Sequence, residues 1–206
     1  MVSLYYTDIR PLASMYDAAL SRITPARRQR IAALKQPDDR LRSLGAGLLL
    51  RAVLEVKDDT QLTYGAQGKP QLPGGPQISL SHSGTLAVLA VSPLPVGADV
   101  QHIRPVRPAV VRYVCTPEEL CWLQAGDEAL RFAVLWTRKE SVMKATGLGL
   151  QLQPSRLCVL PGAEPCPAEG TLWHLEHQEL GGHILAAAGP EPPALTLHRL
   201  DAKQLL

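Results

Sequence analysis

The sequence predicts an α+β protein built of two similar halves, and three observations carry that reading. Helical stretches are followed by hairpin-forming strands, and the succession occurs twice. Pro93 and Pro95 fall between the two runs and mark a boundary. A chain of 206 residues suits one domain or two small fused ones, with enough length to bury a real core. The halves are therefore set at residues 1–95 and 96–206. Their likeness is structural, since no sequence repeat is detectable.

In the first half, Val2–Tyr6 is a β-branched and aromatic run that predicts a strand. A short helix is expected at about 12–20. Thr24-Pro25 starts a helix, with Thr as N-cap and Pro at the first helical position. Pro37 interrupts it. A second helix is expected from about 38 to 54, with Leu44, Leu48, Leu49 and Val53 as its apolar side. Gly68-Lys69-Pro70 reads as a turn presenting one lysine. Gln77–Gly84 reads as a strand ending in Ser81-His82-Ser83-Gly84, followed by strand 85–91.

The second half opens with Val96–Ile103, a short apolar strand broken by one carboxylate, Asp99. A helix is expected at 105–114. Thr116-Pro117-Glu118-Glu119 starts another, with Glu119 at the capping-box position. Gly126 breaks that helix, and a long one follows over 127–146, closed by Gly147. The remainder alternates short strands (SRLCVL, TLWHLEH, HILAAAG, ALTLHRL) with Pro/Gly turns, which predicts an antiparallel sheet.

Composition excludes several classes. Hydrophobic residues make up 46% and charged ones 19%, the balance of an ordinary globular protein. No apolar run reaches membrane-spanning length without a polar or helix-breaking interruption. The segment MVSLYYTDIRP has no basic stretch leading into an apolar one, so no signal peptide is expected. A net charge of +2 is too small to argue for nucleic acid. Cys115, Cys121, Cys158 and Cys166 form no C-x-x-C pair, so they read as scattered thiols in a reducing compartment. His174 and His177 sit in a strand-like run that sends them to opposite faces, which argues against a shared metal.

Three stretches carry chemistry. In Trp136–Lys144, Trp136, Glu140 and Lys144 fall at i, i+4 and i+8 on one helical face, with Lys139 on the flank. A carboxylate there can take a hard cation, and lysines can neutralise phosphate oxygens. Asp99 is costly to bury unless it is paired or holds a metal, and Gln101 shares its face of the strand. Arg27, Arg28, Arg30 and Arg42 form a basic cluster that is either a solvated helix face or an anion site. A Ser–His nucleophile at Ser81-His82-Ser83 is discounted. Adjacent strand residues point to opposite faces, and no G-x-S-x-G elbow is present.

Taken together, GKP at 68–70, SHSG at 81–84, VGADV at 96–100 and WTRKESVMK at 136–144 resemble, in order and spacing, the motifs of the Sfp-type 4′-phosphopantetheinyl transferases. The resemblance spans about residues 24–148. It implies two α/β halves, each a small antiparallel sheet packed on a helix, with the active site between them. It implies a cytosolic, monomeric enzyme that uses coenzyme A and Mg²⁺. Such an enzyme moves the phosphopantetheine arm to a serine of an apo carrier protein and releases adenosine 3′,5′-bisphosphate. By position, Asp99 and Glu140 look like the metal carboxylates. Lys144 looks like the pyrophosphate lysine, with Lys139 beside it. Lys69, Ser81 and His82, with Arg27, Arg30 and Arg42, resemble the cradle for the coenzyme A phosphates. Glu118 lies near a family glutamate, its alignment against Glu119 being open by one. Glu140, or Glu118 through a water, would take the serine proton.

The chain departs from the better-known members at Gln101, where they carry an acidic residue; an amide oxygen or a water can serve there. Helix 117–124 and its flanks are the expected carrier dock, offering Val111, Val114, Leu120 and Trp122. Two other classes stay open at this point: a coenzyme A-binding module without catalysis, and a nucleic-acid binder using the arginine cluster. No membrane partner is expected.

Overall fold

The leucines at helical spacing settle where the first long helix lies. In a computed structural model that describes all of residues 1–206, Leu44, Leu48 and Leu49 are buried beneath it. In chain order the first half comprises β1 (Val2–Asp8), α1 (Tyr16–Ser21), α2 (Pro25–Ala33), α3 (Pro37–Leu54), β2 (Thr63–Tyr64), β3 (Pro70–Gln71), β4 (Gln77–Ser83) and β5 (Leu86–Ser92). The second comprises β6 (Gly97–His102), α4 (Pro108–Val114), α5 (Pro117–Gln124), α6 (Glu128–Thr146), β7 (Cys166–Ala168), β8 (Thr171–Leu180), β9 (His183–Gly189) and β10 (Leu195–Arg199). One sheet runs β10–β1–β5–β4 with α3 against it; the other runs β6–β9–β8–β7 with α6 against it. The α+β architecture of two sheet-on-helix halves expected from the sequence is the one present.

Three larger cores hold most of the buried apolar residues, beside a small cluster of Ala133, Val134 and Ile184. One lies under α3 and includes Leu44, Leu48, Leu49 and Leu89. Another lies under α6 and includes Leu135, Val142, Met143 and Trp173. The third joins the halves, with Leu4, Val88 and Ala90 from one sheet meeting Ala98, Val100, Leu185 and Ala187 from the other. Alternation along β6 accounts for its role. Val96, Ala98 and Val100 enter the shared core, which leaves Asp99 and Gln101 on the opposite face.

Three expectations need correction. SRLCVL is not a strand: a single 3₁₀ turn at Pro154–Arg156 leads into irregular chain. Its carbonyls accept hydrogen bonds from α6 side chains (Pro154 from Lys139, Val159 from Arg138), so that backbone is satisfied without a ladder. ALTLHRL is a strand, but β10 pairs parallel with β1 in the other half. The chain end follows it, and Ala202 and Leu205 fill the core under α3. The first half is therefore residues 1–95 together with the last segment of the chain, because the core under α3 is closed by residues from the C-terminus. The turn signals otherwise hold. Thr116 and Glu119 form both arms of a capping box, and Gly147 closes α6 with φ +76°. Thr24 stands at the N-cap of α2, although its hydroxyl makes no capping bond.

At Gly97, β6 lies directly against the backbone of α6. A Cβ at Gly97 would stand 1.9 Å from the Ser141 carbonyl oxygen and 2.3 Å from the Ala145 nitrogen. Both are backbone atoms of a packed helix and cannot retreat. Gly97→Ala is expected to destabilise the protein by about 3 kcal/mol, measured by urea unfolding. An unchanged midpoint would mean that β6 can move off the helix.

Candidate active site

Between Phe132 and Ala145, α6 leaves only Trp136, Glu140 and Lys144 partly exposed; every other side chain in that span is buried. The three lie one turn apart and line a cleft of about 370 Å³ between the halves. Asp99 and Gln101 enter the cleft from β6, Ser81 and His82 from β4, and Arg27 from α2. Residues expected together from their spacing thus meet across both halves.

How β6 comes to lie beside β4 is a matter of side chains. Ser79, Ser81 and Ser83 alternate along β4, so all three face β6. The Ser79 hydroxyl accepts the Ala98 N–H at 3.0 Å, Ser81 that of Val100 at 3.3 Å, and Ser83 that of His102 at 3.1 Å. The two sheet edges are joined by hydroxyl groups instead of a backbone ladder. Sequence reasoning singled out Ser81 but missed this seam. Its signal was the S-x-S-x-S alternation of β4.

The centre of the cleft is a charged cluster. Asp99 is 5% exposed. Its Oδ1 accepts the Ser81 hydroxyl at 2.6 Å and the Lys144 ammonium at 2.7 Å. Its Oδ2 is buried with no hydrogen-bond partner. Ser81 Oγ also accepts from Lys144 Nζ at 2.9 Å. That hydroxyl donates once and accepts twice, which exhausts its capacity. Burial, then the nearby Asp99 charge, raises the Glu140 pKa above the usual carboxylate value, and Lys144 opposes the rise.

The turn after β4 is clamped from both halves. Arg42 donates to the Gly84 carbonyl at 3.0 Å while paired with Asp39, and Thr85 N–H donates to His183 Nε2 at 3.4 Å. Gly84 has φ +53°, and a Cβ there would stand 2.5 Å from His183 Nε2. His82 precedes this turn and is exposed at the cleft. Its pKa is nonetheless lowered, first by the crowding cleft walls and then by the positive charges of Lys144 and Arg42.

Four sequence candidates stand elsewhere. Lys139 is fully buried. It pairs with Glu119 at 2.6 Å and donates to the carbonyls of Pro154 and Leu157 on the side of α6 away from the cleft. It holds the segment after α6 and does not reach a ligand in the cleft. Glu118 is exposed on α5 and absent from the cleft; its neighbour Glu119 is the buried glutamate. Arg30 is exposed and lies over the Tyr64 ring at 4.6 Å. Lys69 donates to Val96 O at 3.0 Å and Ala145 O at 3.1 Å, tying β6 to α6, and burial lowers its pKa to about 8. It lines a smaller pocket of about 170 Å³ that shares Leu80 and Lys144 with the cleft.

A second groove, of about 580 Å³, adjoins the cleft through Gln101 and Trp136. Arg104, Arg107, Val106, Val110 and Phe132 form its walls. The docking residues expected on α4 and α5 divide differently. Val111 and Val114 are core, and Leu120 and Trp122 pack partly against it, while Val110 and Tyr113 are exposed at 43% and 62%. The helical spacing identified an apolar side, but that side faces inward. No group of three or more His, Cys, Asp or Glu side chains converges in a metal-holding arrangement, and all four cysteines are free. No helix is long and apolar enough to cross a membrane.

Comparison with known proteins gives the family. The model of the 4′-phosphopantetheinyl transferase superfamily matches residues 95–188. A 4′-phosphopantetheinyl transferase of Bacillus subtilis is 30% identical over 158 residues, 71% of this chain and 70% of its own. The 4′-phosphopantetheinyl transferase Sfp of B. subtilis strain 168 is 29% identical over the same shares of the two chains. A 4′-phosphopantetheinyl transferase of Aneurinibacillus migulanus is 29% identical over 67% of this chain and 62% of its own. The chain belongs to the 4′-phosphopantetheinyl transferase superfamily, and it is an enzyme of that class.

Removing the Lys139 ammonium would strand the Glu119 carboxylate, which is also fully buried. Lys139→Met is therefore expected to cost about 3–5 kcal/mol of stability. Chemical denaturation tests this, and a loss of turnover at undiminished stability would return Lys139 to the catalytic machinery.

Proposed function

We propose that this enzyme transfers the 4′-phosphopantetheine arm of coenzyme A to a serine of an apo carrier protein and releases adenosine 3′,5′-bisphosphate. The observation that carries the reading is the convergence of Asp99 from β6 with Glu140 and Lys144 from α6 on one cleft, with one oxygen of the Asp99 carboxylate buried and without a partner. In the reaction the serine oxygen attacks the β-phosphorus, and the bond from that phosphorus to the adenosine-side phosphate breaks. Such transfers depend on positioning and charge neutralisation more than on covalent catalysis.

The donor set fits a hard divalent cation: two carboxylates, one with its Oδ2 unpartnered, and the Gln101 amide on the same face of β6. Mg²⁺ held by Asp99 and Glu140, with Gln101 or a water in the third place, would neutralise the pyrophosphate oxygens. The chain's own groups do the rest. Lys144 meets the developing charge of the leaving bisphosphate. Glu140, whose pKa is raised by burial and by the nearby Asp99 charge, takes the serine proton. Glu118 has no part, being exposed on α5. Arg27 and His82 line the cleft where phosphates would lie, and Arg42 holds the Gly84 turn that follows His82.

The carrier is expected at the second groove, not on α5. That groove opens beside the cleft, joins apolar walls to Arg104 and Arg107, and includes no carboxylate. An acidic carrier surface would find complementary charge there. A cytosolic monomer is the matching reading, since one chain supplies both walls of the cleft.

The test is the intact mass of an apo carrier after incubation with the protein, coenzyme A and Mg²⁺. The expected result is a gain of one phosphopantetheine that EDTA abolishes, with Asp99→Ala and Glu140→Ala slower by about 10²–10⁴-fold. Undiminished transfer by either variant would remove it from the assigned role.

A further inference from the structure

We propose that Lys144 acts as a counter-charge that withholds the carboxylate pair from a free divalent cation, so that the cation is retained only together with an anionic pyrophosphate. The proposal rests on the transferase reading above and concerns how its site is loaded.

The charges lining the cleft balance. Asp99 and Glu140 supply two negative charges, and Arg27 and Lys144 two positive ones. Lys144 is not a distant contributor. Its ammonium lies 2.7 Å from Asp99 Oδ1 and 2.9 Å from Ser81 Oγ, with the side chain 25% exposed. A divalent cation arriving alone would therefore meet no net attraction, and it would lie beside an ammonium group. A cation arriving with a pyrophosphate brings compensating negative charge, and that charge also gives Lys144 a new partner. Asp99 does not need Lys144 to keep its place, because Ser81 donates to the same oxygen at 2.6 Å. Asp99 Oδ2 has no hydrogen-bond partner and is the carboxylate oxygen left over for the cation. His82 is the remaining titratable group in the cleft. Partial burial, with the positive charges of Lys144 and Arg42, lowers its pKa.

The test is equilibrium dialysis of Mn²⁺ against the ligand-free protein, with manganese counted on both sides of the membrane. Wild type is expected to retain Mn²⁺ weakly, and Lys144→Met to bind it at least about tenfold more tightly, because a cation a few ångströms away has been removed. Lys144→Arg keeps the charge and should behave as wild type. Lys144→Gln removes the charge with a polar side chain, so a folding failure of the Met variant leaves the question answerable. Inorganic pyrophosphate should tighten Mn²⁺ retention by wild type at least about tenfold. Adding Asp99→Ala to Lys144→Met should abolish the gain, which places the bound ion at the pair. Equal or weaker binding by the charge-removed variants overturns the counter-charge role. No retention by any form, with or without pyrophosphate, overturns the metal reading on which it stands.

Discussion

Three serine hydroxyls on one face of β4 hold the two halves of this enzyme edge to edge, and the active site depends on that junction. Each accepts a backbone N–H of β6, from Ala98, Val100 and His102 in turn. Single bonds of this kind contribute about 1 kcal/mol each. Their larger effect is on register. They set β6 so that Asp99 lies against Ser81, one strand edge from Glu140 and Lys144. A backbone ladder in this place would have merged the sheets and left no side chain between them. The hydroxyl groups leave one of their number to orient a carboxylate.

The long helix of the second half supports the same site in a different way. Its cleft face is a single stripe of three side chains, and all its remaining surface from Phe132 to Ala145 is buried. Among the buried side chains are two cations, Arg138 and Lys139. Both are satisfied by carbonyls and carboxylates of the segment 154–164 and of α5. Charges in such a place are tolerated only when paired. Here they fasten the irregular chain after the helix and so keep the helix from rotating its stripe out of the cleft. Gly97 and Lys69 complete the fastening, one by letting β6 approach α6 and the other by bridging Val96 and Ala145.

Much of this was legible in the residues. The i, i+4, i+8 stripe and the period-2 pairing of Asp99 with Gln101 both hold, because each rests on geometry local to one element. What was hidden involved contacts far apart in sequence. Nothing local in ALTLHRL says that it crosses back to pair with β1. Lys139 sits one residue from Glu140, yet that step of about 100° along a helix is enough to turn it from the cleft into a buried pair with Glu119. Glu118 and Glu119 illustrate the same limit, since only the fold shows which of two adjacent glutamates is buried. Val111 and Val114 carried an apolar pattern that serves core and dock equally well until the helix has a neighbour. The serine seam was overlooked because alternating hydroxyls on a strand usually face water.

The central question is whether Ser81 works through Asp99 or on the substrate directly, and steady-state kinetics of Ser81→Ala answers it. A hydroxyl whose hydrogen-bonding capacity is already spent on Asp99, Lys144 and Val100 should be missed in the chemical step. In that case kcat falls at least about tenfold, while KM for coenzyme A stays within about twofold. A raised KM with kcat unchanged would instead make Ser81 a phosphate ligand, and Asp99 would owe its position to other contacts.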